Sequence, residues 1–335
     1  MNILPKYNKE GMFLNKIRRD ALNKLNKMVY FEEIKVDQVK NCFCGHNKFN
    51  ILSQYDRFGL PFGTKICLNC GLITQNIRIH PDSMPIFYQD IYWDLVKGED
   101  PDYQTPLKKN HSLGFINDFM NSFNKKKINI FEVGCGAGDK IISLSKILKE
   151  KGYMPDLYGC DYNLEALKVA KNKGLNTLVG GMNELKKIGK ADILILSHIF
   201  EHFPNLNESM KEIYELTHED TLIYIEVPGV KDLKNKKEYF YDYQDYNVLA
   251  HTYNFSLTTL SNVMGKGGFK NIYGDEFVRS IFKRDNNTNF VLKNDFKNII
   301  ESLKEANIKY ERLNKFRNNT FIKYLKNLIK AILNI

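Results

Sequence analysis

The stretch Phe131-Glu132-Val133-Gly134-Cys135-Gly136-Ala137-Gly138-Asp139 constrains this chain more than any other. It joins an apolar β-prone run, INIFEV at 128–133, to a segment at 139–151 with helical spacing of its apolar residues. Glycines at alternate positions let the turn adopt positive φ and let a ligand approach the backbone closely. The first turn of the helix beyond presents free N–H groups. The segments that follow agree with a strand–turn–helix unit. LYGCD (157–161), LNTLV (175–179), ADILILS (191–197) and TLIYIEVP (221–228) read as strands. Residues 163–173, 206–217 and 256–266 read as helices, the last with Ser256 as its N-cap. Such alternation predicts an α/β fold with a mostly parallel sheet covered on both faces. Beyond 266, the segments KNIYGDE, VRSIFKR and NFVLK are expected as two or three terminal strands. Their connections are short, which predicts antiparallel pairing.

The loop chemistry separates two nucleoside cofactors. A pyrophosphate-binding loop wants G-x-G-x-x-G. Counted from Gly134, the sixth position is Asp139, and an acid there opposes a diphosphate. Glu132 precedes the glycines instead, and a carboxylate at a strand end accepts bonds from a cationic amino group. S-adenosylmethionine carries an ammonium, a carboxylate and a sulfonium, and no phosphate. Asp161 ends the next strand, 27 residues beyond Gly134, where a carboxylate can take both ribose hydroxyls. A nicotinamide-dependent oxidoreductase is the alternative that the loop spacing disfavours.

Residues 128–274 resemble a class I S-adenosylmethionine-dependent methyltransferase. FEVGCGAG is similar to the first motif of that family and GCDYN to its acidic second strand. ILSHIFEHFPN resembles its fourth strand and following loop, and TLIYIEVPG its fifth strand. HTYNFSLTTLSNVMGKGGF is similar to a late segment of one branch. The resemblance implies a Rossmann-like seven-stranded sheet whose last strand is antiparallel. It also implies Glu132, Gly134, Gly136 and Gly138 around the methionine moiety and Asp161 on the ribose. Tyr162 would lie beside the adenine. The family often has an acid near adenine N6 after the third strand. This chain reads Gly180-Gly181-Met182-Asn183-Glu184 there, which leaves adenine contact to Met182 and the backbone.

Two close cysteine pairs lie upstream, Cys42-Phe-Cys44-Gly and Cys67-Leu-Asn-Cys70-Gly, with 22 residues between them. In a cytosolic chain such pairs more often hold metal than form disulfides. Four thiolates close a tetrahedral zinc site, and four protein ligands make it structural. Four reduced cysteines, or a site in which His46 replaces one of them, are the alternatives. The segment also resembles the zinc-binding module that precedes some sugar methyltransferases. Tyr55-Asp56-Arg57, Gly59-Leu60-Pro61 and Cys67-Leu68-Asn69-Cys70-Gly71-Leu72 follow that pattern. The branch implies a sugar or sugar-nucleotide acceptor in surface-glycan biosynthesis. Cys135 and Cys160 sit in apolar surroundings and read as reduced core residues.

An acceptor must lose a proton when it is methylated, and His202 and His251 are the candidate bases. His202 lies beyond the fourth strand and His251 just before Asn254-Phe255-Ser256. Both match histidines of the C-methyltransferase branch. That branch usually has Glu before the later histidine, where this chain has Ala250. The acceptor atom is therefore open between oxygen, nitrogen and carbon. Phe87, Tyr88, Tyr92 and Trp93 form an aromatic patch that either walls a substrate pocket or fills a core between modules.

The net charge of +10 resides in the two ends. Residues 1–40 carry +4 and residues 292–335 carry +6, so 41–291 is neutral. This argues against a broad phosphate-binding face on the core, and no nucleic-acid partner is expected. A non-enzymatic zinc-ribbon adaptor or nucleic-acid binder is the alternative that the basic ends motivate. The expected division is a basic helical arm (1–40), a zinc-binding module (41–85), a methyltransferase domain (100–291) and a basic amphipathic tail (292–335). The tail face of Phe321, Leu325, Leu328, Ile329 and Ile332 suits packing, self-association or an anionic membrane surface. No run of about 18 apolar residues and no signal-like N-terminus is seen. The expected location is cytoplasmic, with a membrane-peripheral variant.

Overall fold

The computed structural model describes residues 14–98, 113–123, 125–285 and 289–318. Helix α1 (Lys16–Tyr30) is capped by Asn15, whose side chain accepts the N–H of Arg18. Its buried stripe, Ala21, Leu25 and Met28, packs with Phe87, Ile91 and Leu95. Phe87 belongs to α2 (Met84–Asp90), Ile91 caps its C-terminus, and Leu95 belongs to the π-helical turn that follows (Trp93–Lys97). Between α1 and α2 lie five short strands: β1 (Val36–Gln38), β2 (Phe49–Ile51), β3 (Thr64–Cys67), β4 (Ile73–Gln75) and β5 (Ile77–Ile79). β1 pairs with β5, while β2, β3 and β4 form an antiparallel meander.

Strands then alternate with helices: β6 (Lys127–Val133), α3 (Asp139–Glu150), β7 (Met154–Asp161), α4 (Leu164–Asn172), β8 (Asn176–Val179), α5 (Met182–Lys186), β9 (Ile193–Ser197), α6 (Leu206–Leu216) and β10 (Leu222–Glu226). After α7 (Tyr243–Tyr246), the two residues of β11 (Tyr253–Asn254) leave this sheet and pair with β4. Helix α8 (Leu257–Lys266) starts at a capping box made by Ser256 and Thr259. β12 (Phe269–Gly274) and β13 (Arg279–Arg284) complete a seven-stranded sheet of order β12-β13-β10-β9-β6-β7-β8. β13 alone runs antiparallel to both neighbours. The α/β Rossmann-like sheet with an antiparallel last strand is thus observed.

β9 explains why the sheet is double-faced. Ile193 to Leu196 are all buried, because helices cover both sides. Each such side chain contributes about 1.5–3 kcal/mol. Leu194 and Leu196 share one face with Phe200, Val263, Met264 and the cysteine-bearing Leu72 segment. Ile193 and Ile195 share the other with Ile141, Leu144 and Leu148 of α3.

One terminal strand is corrected. NFVLK (289–293) is irregular, because a side chain takes its backbone groups in place of a neighbouring strand. Asn262 donates to the carbonyl of Lys293 at 2.7 Å and accepts its N–H at 3.0 Å. Helix α9 (Phe296–Asn318) follows and packs Ile299, Leu303 and Ala306 against Leu52, Ile66 and Tyr243. Residues 321–335, with the membrane or self-association face expected there, lie outside the described residues. Among the described residues, no helix is long and apolar enough to cross a membrane.

Candidate functional site

The C-terminal ends of β6, β7, β9 and β10 lie side by side, in register from Val133 through Cys160 and Leu196 and from Ser197 to Glu226. Gly134, Gly136 and Gly138 all have positive φ, at 64°, 51° and 76°. The positive φ of Gly134 favours glycine there, and a Cβ at that position would press on the end of the Ile199 side chain. Asp161 ties the next strand end to this turn. Its Oδ2 accepts the N–H of Gly136 at 2.9 Å and its Oδ1 that of Asn163 at 2.8 Å.

Glu132 is buried beneath the turn, with Oε2 accepting the N–H of Ile141 at 3.2 Å. Burial pushes its carboxyl up to about 8, only partly opposed by Lys140 and that N–H. Tyr162 is 52 % exposed and its hydroxyl stands beside Gly181. Met182 is packed into the core at the start of α5 rather than lying open. Lys140, which the sequence did not single out, reaches from the first turn of α3 to Ser197 Oγ at 2.6 Å and to the Glu226 carboxylate. The apolar run that ends at Ser197 and the Glu226 of YIEVP were the available signals.

The second group forms beyond the end of β9. Glu201, His202 and His251 place one ligand-type atom each within 4.8 Å of one another. His202 Nδ1 lies 2.8 Å from the carbonyl of Ala250. A carbonyl only accepts, so Nδ1 carries the proton and Nε2 carries the lone pair. Nε2 stands 3.9 Å from Glu201 Oε1. Neither Glu201 oxygen has a hydrogen-bond partner, nor does His251 Nδ1, although Glu201 is only 1 % exposed. His198, exposed and in the left-handed region at φ 55°, stands 3.6 Å from Glu201 Oε1. Burial, followed by the charge of His202, lowers His251 to about 3, and burial also lowers His202. Both imidazoles are therefore neutral lone-pair donors near pH 7. Tyr88 and Tyr92 edge the His202 ring at 5.9 and 6.1 Å, whereas Phe87 is core. Burial pushes the Tyr92 hydroxyl up to about 12.

The cysteines converge as a third group. Sγ of Cys42 and Cys70 are 3.5 Å apart, and those of Cys44 and Cys67 3.7 Å apart. All four sulfurs lie within 4.8 Å of one another. Tetrahedral bonds of about 2.3 Å put sulfurs about 3.8 Å apart, so the donor set fits a thiolate-bound cation. Gly45 and Gly71, after each pair, have φ 86° and 83°. The turns send Leu72 N–H to Cys70 Sγ at 3.4 Å. His46 offers only its backbone carbonyl, which accepts from Cys42 N–H.

This N-terminal module also holds the segment carrying His251. Asp56 accepts from Leu249 N–H, and Gln75 donates to the Leu249 carbonyl at 2.7 Å. Asn247 donates to the carbonyl of Phe62, and its own carbonyl accepts from Arg57 N–H.

A family model described as a methyltransferase domain matches residues 111–273, just under half of the chain. The seven-stranded sheet and the glycine turn agree with that match over the central region. No curated protein matches the chain. Among solved structures, it is similar to the PH0226 protein of Pyrococcus horikoshii, with 15 % identity over 51 % of this chain and 88 % of that one, at a TM-score of 0.38. A methyltransferase of Clostridium acetobutylicum described as S-adenosylmethionine-dependent shares 13 % identity over 59 % of this chain and 98 % of its own, at 0.39. LepI in complex with SAM shares 15 % over 61 % and 53 %, at 0.41, so this chain spans about half its length.

Proposed function

We propose that this protein methylates a hydroxyl group of a sugar-like small molecule, within surface-glycan biosynthesis, using S-adenosylmethionine. The observation that carries the reading is the shared edge. Glu132, the positive-φ glycines and Asp161 face it from one side, and His202, His251 and Glu201 from the other. When bound, S-adenosylmethionine supplies a methyl group whose bond to sulfur breaks, the electron pair staying on sulfur, as the bond to the acceptor oxygen forms.

The chain's own residues would do the rest. Glu132 would hold the donor's ammonium and Asp161 its ribose hydroxyls, with Tyr162 and the Gly181–Met182 backbone beside the adenine. Tyr88 and Tyr92 would line the acceptor, since aromatic rings stack on the apolar faces of sugars. His202 or His251 would take the acceptor's proton as the new bond forms. The four cysteines would hold a structural zinc that braces the segment bearing His251.

Calorimetric titration of the zinc-loaded protein with S-adenosylmethionine and with its demethylated product tests the reading. Saturable binding of both is expected. Binding of neither would overturn it.

A further inference from the structure

The acceptor side of the edge has a composition that a general base does not need. A base needs one lone pair and a partner that orients it. Here two imidazoles and a carboxylate bring one donor atom each within 4.8 Å of one another. The Ala250 carbonyl fixes the His202 tautomer by taking its Nδ1 proton at 2.8 Å, which leaves Nε2 free on the inner side. That carbonyl–imidazole pairing is the usual support behind a metal-ligating histidine. A second observation points to a ligand. Glu201 is 1 % exposed, yet neither of its oxygens has a hydrogen-bond partner, and His251 Nδ1 is equally unpartnered. Buried polar atoms left in this state destabilise the fold unless a ligand satisfies them.

We propose that Glu201, His202 and His251 bind a divalent transition-metal cation, with open coordination positions toward the acceptor. Two imidazoles and one carboxylate form a three-ligand donor set that suits Mn2+, Fe2+ or Co2+ and leaves places for substrate oxygen. The ligand atoms need to draw in from within 4.8 Å to the ~3–3.5 Å separation that bonds of about 2.1 Å produce.

The catalytic consequence rests on the methyl-transfer reading; the binding of the cation does not. With the metal in place, both imidazoles hold it rather than a proton. An acceptor hydroxyl coordinated at an open position ionises more readily. Its proton would pass to His198, which stands 3.6 Å from Glu201 at the exposed rim. The methyl group would then join the resulting oxyanion while its former pair stays on sulfur.

The experiment titrates the zinc-loaded full chain with Mn2+ and follows free Mn2+ by electron paramagnetic resonance. Zinc is loaded to one equivalent per chain, which the four thiolates would take first, so Mn2+ uptake reports a separate site. One saturable equivalent is expected, weakened at least tenfold in both Glu201→Gln and His251→Asn, with zinc content unchanged. No saturable uptake, or wild-type uptake in both variants, would overturn the proposal. If either variant fails to fold, the wild type decides: Mn2+ should selectively broaden the imidazole proton signals of His202 and His251, and broadening no greater than at His218 would overturn it. Titration of the same preparation with S-adenosylmethionine separates the two ideas. Donor binding without Mn2+ uptake removes the cation alone, and Mn2+ uptake without donor binding removes the methyl-transfer reading alone.

Discussion

The rings of His202 and His251 meet edge to face, their centroids 4.9 Å apart. His202 arrives on the turn after β9, and His251 on a segment that the N-terminal module grips through Asp56 and Gln75. The cysteine-bearing module is thus one layer of hydrogen bonds away from the candidate acceptor site.

Gln75→Ala should therefore loosen that segment while sparing the donor half of the edge. It leaves the Leu249 carbonyl buried without its donor, a cost of about 1–3 kcal/mol. Thermal melts should shift down by several degrees, and calorimetric affinity for S-adenosylmethionine should stay within about twofold of wild type. A large loss of donor affinity would contradict the division of the edge into two halves.

Donor binding held by Glu132, as proposed, should depend on pH. Its carboxyl titrates near 8 because burial outweighs Lys140 and the Ile141 N–H, so it is protonated in the free protein at neutral pH. The donor's ammonium needs the carboxylate, so binding must release that proton. Affinity should fall as pH drops below about 8, by up to tenfold per unit. Calorimetry in buffers of different ionisation enthalpy reads the released proton directly. Glu132→Gln should bind weakly and without this dependence. The sign for stability is opposite. A carboxyl raised in the folded state favours folding at low pH, and that contribution fades as pH rises from about 4 to about 8.

Gly134→Ala places a methyl group 2.1 Å from Ile199 Cδ1 and forces φ 64° on an L-residue. The backbone cost alone is about 1–2 kcal/mol. Denaturant titration should show a loss larger than that. The double variant Gly134→Ala, Ile199→Ala should recover the steric part and keep the backbone part. Equal stability of the single and double variants would show that Ile199 yields freely.

Cys67→Ser removes one of four sulfurs that lie within 4.8 Å of one another. Purified protein should lose its bound zinc, measured by elemental analysis. Melting should fall by roughly 10 °C, since metal binding of this kind couples to folding. Zinc at one equivalent in this variant would indicate a site built on other ligands.

Much of the fold was legible because its signals are local. The run 193–196 is apolar at every position, which only a doubly covered strand tolerates. Ser256 and Thr259 form the capping box that a helix start at 256 requires. The alternating glycines declared a turn that their positive φ values realise. NFVLK failed as a strand because Asn262, far upstream, claims its backbone, and no periodicity within 289–293 reports that. β11 was equally invisible. Two residues carry no pattern, and their pairing with β4 depends on a module that folds from the other end of the chain.

The sequence by itself determined the alternation of strands and helices, the glycine turn and the two close cysteine pairs 42/44 and 67/70, since each rests on residues that are neighbours in the chain. Only the tertiary structure decided that Glu201 would stand without a hydrogen-bond partner between two histidines, and that Lys140 would join Ser197 to Glu226. Contacts of that kind arise where separate strand ends converge on one edge, and spacing along the chain does not encode how far apart those ends come to lie.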